Sequence, residues 1–269
     1  MSGWWNPTLW NLALATAAIT AAITWGIVRT RRRGLPAVRR IAGVAAIEAA
    51  IGRATELGRP VLYVAGTQDL DDVQTVASLG ILSAVGRLTA RHGCQLVMPT
   101  TRSLVLAAAR EILRESYTAV GRPDNYAPDM VTYISDDQFG FAARVDGMIT
   151  RQRPAACFLQ GAFYAESLLL AEAGAQAGAV QVAGTGMSHQ LPFLVAACDH
   201  VLIGEEFFAA EAYLTRDADK LGSLRGQDLV KDAALAILVV GAVLVSVAEF
   251  GGWRWCAALR DALLRLLQV

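Results

Sequence analysis

The sequence predicts an α/β fold: a doubly wound, mostly parallel sheet of about six strands, Rossmann-like, with an N-terminal and a C-terminal transmembrane helix. Three observations predict it. Six short runs, apolar throughout, alternate with segments of helical composition. Residues 8–28 carry no charge and are followed at once by arginines. A second uncharged stretch begins at residue 233.

Residues 1–7 read as a short extracytoplasmic N-terminus. The stretch TLWNLALATAAITAAITWGIV, residues 8–28, is long enough at about 1.5 Å per residue to cross about 30 Å of hydrocarbon. Arg29, Arg31, Arg32, Arg33, Arg39 and Arg40 follow it, and no Lys or Arg precedes it. The positive-inside bias therefore places residue 29 onward in the cytoplasm. A cleaved signal peptide carries its positive charge ahead of the apolar run, so that reading fails.

Residues 29–57 form a basic juxtamembrane segment and a helix over 37–57, with Ile41, Val44, Ile47, Ile51 and Ala54 on one face. Gly58 and Pro60 end that helix, because glycine suits the position after a helix and proline cannot continue it. The α/β domain then covers 58–232. Its strands are VLYVAG (61–66), QLVMP (95–99), MVTYIS (130–135), ACFLQG (156–161), VQVAG (180–184) and HVLIG (200–204). Continuous apolar runs suit strands buried on both faces, and strict alternation with helices argues for right-handed βαβ units.

Residues 233–252 read as the second membrane helix, with a buried core helix or a re-entrant segment as the competing readings. Trp253 and Trp255 would then share the outer interface with Trp4, Trp5 and Trp10. Residues 253–269 place Arg254, Asp261, Arg265 and Gln268 near one face of an amphipathic interfacial helix. Cys94, Cys157, Cys198 and Cys256 show no CxxC spacing, as expected of reduced cytosolic thiols and not of a zinc site.

The segments GRPVLYVAGTQDLDD, DDQFGFAA, QGAFYAESLLLAEAG, QVAGTG and CDHVLIGEEFFAAEAYL resemble an uncharacterised prokaryotic family of membrane-anchored α/β proteins, over roughly residues 38–231. The resemblance implies the fold and a location at the prokaryotic inner membrane. It implies no activity, so no functional residue is carried over from it.

Ligands of open α/β sheets bind beyond the carboxyl ends of the strands. Polar residues gather there: Asp69, Asp71 and Asp72, then Asp136 and Asp137, then Gly184, Thr185, Gly186, Ser188 and His189, then Glu205 and Glu206. Asp136, Asp137 and the loop Gly184–His189 form the candidate ligand site. His189 is the best single catalytic candidate, because an imidazole is the side chain suited to proton transfer near neutral pH. The structural reading of the same carboxylates is helix capping. The loop lacks the third glycine of GxGxxG, and no GxxxxGK[ST] occurs, which excludes a P-loop. No metal centre and no particular cofactor is specified.

Formal net charge is zero, so nucleic acid is not an expected partner. The expected partners are the lipid bilayer, further copies of the chain in a homo-oligomer, and other membrane proteins. The function expected is that of a structural scaffold. A ligand-binding or sensory domain, or a metal-dependent enzyme, is the alternative at the strand-end cleft.

Overall fold

A computed structural model of the chain describes residues 10–34 and 41–251. Residues 1–7 with Trp4 and Trp5, the arginines at 39 and 40, Cys256 and the segment 253–269 lie outside the described residues, as does the side chain of Glu249. Two compact units are present. One is the α/β unit, residues 39–215, and the other holds the two terminal helices.

The α/β unit opens with α2 (Ala42–Leu57) and continues β1 (Val61–Val64), α3 (Val73–His92), β2 (Leu96–Thr100), α4 (Ser103–Ala119) and β3 (Val131–Tyr133). It then runs α5 (Gln138–Gln152), β4 (Ala156–Gln160), α6 (Glu166–Gln176), β5 (Val180–Thr185), α7 (Leu191–Ala197), β6 (His200–Ile203) and α8 (Glu205–Thr215). All six predicted strands are present; β1, β3, β4 and β6 are shorter than their apolar runs, β2 is shifted by one residue, and β5 extends one residue further. The sheet is parallel throughout, in the order β3-β2-β1-β4-β5-β6. That order reverses direction between β1 and β4, the switch point of a doubly wound fold.

Strand periodicity assigns the two faces. Val61 and Tyr63 of β1 join a core with α2, α3, α4 and α8, whereas Leu62 and Val64 join one with α5, α6 and α7. Both faces are apolar because both are covered, which is why the strands read as continuous hydrophobic runs. Each fully buried Leu, Ile or Phe contributes about 1.5–3 kcal/mol relative to exposure. The buried Tyr63 hydroxyl donates to the Ser78 carbonyl at 2.6 Å, so the ring adds area without an orphaned polar atom.

Capping punctuates these helices as the sequence predicts. Gly58 and Gly93 stand in the left-handed region after α2 and α3 (φ 61° and 65°). Asp72 accepts from the Gln74 amide at the start of α3, and Asp137 accepts from the Gly140 amide at the start of α5.

The second unit pairs α1 (Trp10–Arg33) with α9 (Ala218–Gly251). The pair is antiparallel: Arg31 bonds Asp219 through two 2.5 Å contacts, Gly26 lies against Gly222 and Gly226, and Ile23 lies against Gly226. A Cβ on Gly222 or Gly226 would come within 2.6 Å of the Cα of Ile27 or Ile23, so glycine is what lets the backbones approach. Arg29 stacks 5.0 Å over the Trp25 ring. Thr16, Thr20 and Thr24 return their hydroxyls to the carbonyls one turn back, which satisfies them without water.

The stretch read as 233–252 is part of one 34-residue helix, with no break that a re-entrant segment would require. Nor is it a core helix, since Leu235 and Leu238 are 61% and 70% exposed. Three described helices are long and apolar enough to cross a membrane. One of these is α3, whose best window is 56% buried in the α/β unit, so it is a core helix. The corresponding windows of α1 and α9 are almost wholly exposed, at 6% and 0% buried.

Candidate functional site at the carboxyl edge of the sheet

The switch point is bounded by the loops after β1 and β4. These loops touch: the Thr67 amide donates to the Ala162 carbonyl at 3.0 Å. Gly66 (φ 75°) permits the approach, since a Cβ there would lie 2.6 Å from the Ala162 oxygen. The crevice that a doubly wound fold offers is therefore closed by backbone at this point.

Beneath the closure sits Glu166, fully buried in the first turn of α6. Its carboxylate accepts from Thr67 Oγ1 at 2.9 Å, from the Tyr164 amide at 3.1 Å and from Gln138 Nε2. All three donors are neutral, and the positive end of the α6 dipole adds to them. Thr67 is the hub of the loops, because its carbonyl accepts from Thr101 Oγ1 at 3.2 Å and from Arg102 Nε at 3.3 Å. The assembly locks the ends of β1, β2 and β4 together around a carboxyl group sealed from solvent.

The predicted residues fall into two places. Asp136 and Asp137 follow β3 at one edge of the sheet, whereas Gly184, Thr185, Gly186, Ser188 and His189 belong to or follow β5. Strands β2, β1 and β4 stand between. Four spacings of about 4.8 Å put the two groups on the order of 19 Å apart. They do not form one cluster. Asp137 caps α5, and Asp136 accepts the Tyr133 hydroxyl, which holds that phenol above its ordinary pKa.

The glycines of the 184–190 loop do not make a turn through positive φ. Gly184 lies inside β5, where a Cβ would meet the Phe207 ring at 2.7 Å and crowd Gln160. The Gly186 amide donates to Gln74 Oε1 at 2.7 Å, Thr185 Oγ1 donates to the same oxygen at 3.2 Å, and the Met187 amide donates to Thr185 Oγ1 at 3.1 Å. Gln74, reaching from the first turn of α3, thus takes the amide that an anion would use. Ser188 and His189 are exposed, and α7 is only seven residues long.

Residues 1–255 match the family described as "Domain of unknown function (DUF6754)". The chain belongs to the DUF6754 family. The match takes in α1, the α/β unit and α9, so it extends the likeness read over residues 38–231 to both terminal helices. No curated protein and no solved structure matches the chain.

Other chemistry in this DUF6754 chain is muted. Among the described residues no three His, Cys, Asp or Glu side chains converge as metal ligands do. Burial pushes the Cys157 and Cys198 thiols up to about 12 and raises that of Cys94, so they are poor nucleophiles at neutral pH. At the opposite, amino edge of the sheet, Arg53, Gln181 and Asp199 line a depression of about 320 Å3. Glu166 after β4 and Gln138 after β3 are legible in the sequence only as polar residues at the ends of strands. Nothing local marked Gln74 or Thr67, whose roles arise from partners 99 to 112 positions away.

Proposed function

We propose that this DUF6754 protein is a membrane-anchored organising protein, held in the prokaryotic inner membrane by α1 and α9, whose cytoplasmic α/β units gather in a homo-oligomer. The observation that carries the proposal is the register of the helix pair. Carried along both helices from the Arg31–Asp219 contact, it sets Arg225, Asp228, Lys231 and Asp232 opposite the apolar stretch of α1 between Ala18 and Trp25. The two apolar stretches are therefore staggered by about 18 Å along the pair.

One copy alone leaves an unfavourable surface at either membrane depth. With the apolar part of α1 in lipid, Arg225, Asp228, Lys231 and Asp232 enter hydrocarbon, where a charge costs about 2.5–3.5 kcal/mol, reduced for Lys231 and Asp228 by their pairing at 3.8 Å. With the apolar part of α9 in lipid, Ile19, Trp25 and Val28 of α1 stand exposed in water. Neighbouring copies relieve both. The arginines after α1 favour the cytoplasmic side for the α/β unit.

Native mass spectrometry of the full chain, gently extracted from its membrane, tests the reading. A defined oligomer is expected, and a monomer at every detergent concentration overturns it. The second reading is ligand binding at the lip of β5, which the exposure of Ser188 and His189 favours. It expects a stoichiometric small-molecule mass that disappears in His189→Ala.

A further inference from the structure

Leu14, Ala18, Ala21, Trp25 and Val28 of α1 recur at alternating steps of four and three residues, the spacing that sets side chains in one unbroken stripe along a helix. All are exposed, with Leu14, Trp25 and Val28 at 56%, 46% and 41%. The stripe is turned away from α9, whose Gly222 and Gly226 meet α1 at Ala22, Ile23, Gly26 and Ile27. It stops at Arg32, the next step of the same spacing. At the height of Ala18 to Val28 the outer side of α9 is of the opposite kind. Arg225, Asp228 and Asp232 recur there at steps of three and four, and all are exposed. The helix pair is thus amphipathic across its width, apolar on the α1 flank and charged on the α9 flank.

We infer that the α1 stripe of one copy packs in parallel on the same stripe of a second copy, about a two-fold axis along the membrane normal. This deepens the homo-oligomer reading and rests on it. Lipid does not cover the upper part of the stripe, because the depth that would bury it draws the charges of α9 into hydrocarbon. The α9 flank of a neighbour does not cover it either, because apolar surface set there would strip water from Arg225, Asp228 and Asp232. A stripe without charge is matched by another such stripe at the same height. The bilayer holds every copy in one orientation and at one depth, so a second α1 stands level with the first. Beside the stripe, Thr16, Thr20 and Thr24 give their hydroxyl protons to their own helix, which leaves no donor there to recognise a foreign protein. Ala18 and Ala21 let the two helices approach, Trp25 and Val28 supply apolar area, and Leu14 continues the contact at lipid depth. Such a contact is isologous, so the native mass is expected at an even number of copies.

The test places single cysteines along α1 of the full chain in its own membranes and follows disulfide-linked dimers on oxidation, with the unsubstituted chain as background. Dimers are expected at Ala18→Cys, Ala21→Cys, Trp25→Cys and Val28→Cys, and their loss at Ala22→Cys, Ile23→Cys and Ile27→Cys, which face α9. Native mass, read for each variant, shows that it still assembles. Equal yields on both faces overturn the α1 contact, and so does the absence of dimers while the native mass stays oligomeric. A linked band at a mass other than twice that of the chain identifies a foreign partner and overturns the second copy as occupant. Dimers that form only between co-expressed Ala21→Cys and Asp228→Cys chains overturn the two-fold arrangement, as does an odd number of copies. A monomeric native mass for the unsubstituted chain overturns both this contact and the homo-oligomer itself.

Discussion

Gly184 has no room for a methyl group, because the Phe207 ring lies 2.7 Å from where its Cβ would be. Gly184→Ala is expected to lose about 1–3 kcal/mol by overpacking, read by chemical denaturation. A catalytic or phosphate-binding glycine would instead lose ligand with little change in stability. Glu166 gives a second residue-level expectation. Thr67→Val keeps the shape but removes a donor from a buried carboxylate, at a cost of about 1–3 kcal/mol. Asp137→Ala loses its cap on α5 and about 1 kcal/mol, whereas Asp136→Ala and His189→Ala stay within about 0.5 kcal/mol. The thiols carry a pH dependence. Cys157 is raised by burial from an ordinary value of 9.0 to about 12, so the folded chain holds its proton more tightly than the unfolded chain. Its contribution is complete below pH 9 and is lost as the pH climbs toward 12, a decline that a pH series of unfolding midpoints measures and that Cys157→Ala flattens.

At the scale of elements, the α1/α9 register decides which residues meet lipid. Arg225, Asp228, Lys231 and Asp232 at intramembrane depth cost up to about 10 kcal/mol, less what the Lys231–Asp228 pair at 3.8 Å returns. Ile19, Trp25 and Val28 are only partly exposed on α1 and cost at most about 1.5–3 kcal/mol each in water. The bilayer is therefore expected to cover α9 from about Ala233, leaving the upper half of α1 outside it. Cysteine at Thr24 should react with a membrane-impermeant maleimide added to inside-out vesicles, and cysteine at Leu238 should not. Protection at both positions would place the apolar part of α1 in lipid and bring the charges of α9 with it. In the α/β unit, the end of every strand was legible as a polar or glycine-bearing position after an apolar run. The caps at Asp72 and Asp137 were legible too, because capping needs only a carboxylate two or three residues ahead of an amide. The role of Gln74 was not, since it pairs with Thr185 and Gly186 more than a hundred positions on.

For the whole molecule, assembly through helices in lipid predicts an oligomer that persists as ionic strength rises past about 0.15 M, where exposed charges are screened within about 8 Å. Native mass read against salt measures it, and dissociation on adding salt would place the contacts on exposed charges instead. By itself the sequence determined the fold class, the six strands and their places in the chain, and two terminal helices apolar enough for a membrane. Those features depend on neighbours within a turn or a strand: continuous apolar runs, helix-ending glycines, an uncharged stretch before arginines. Only the tertiary structure decided the strand order β3-β2-β1-β4-β5-β6, and with it the separation of Asp136 and Asp137 from His189. It also decided the burial of Glu166 among neutral donors and the stagger of α1 against α9. Each of these is a pairing between distant segments, set by which surfaces pack best once the chain has collapsed, and no local pattern of residues encodes it.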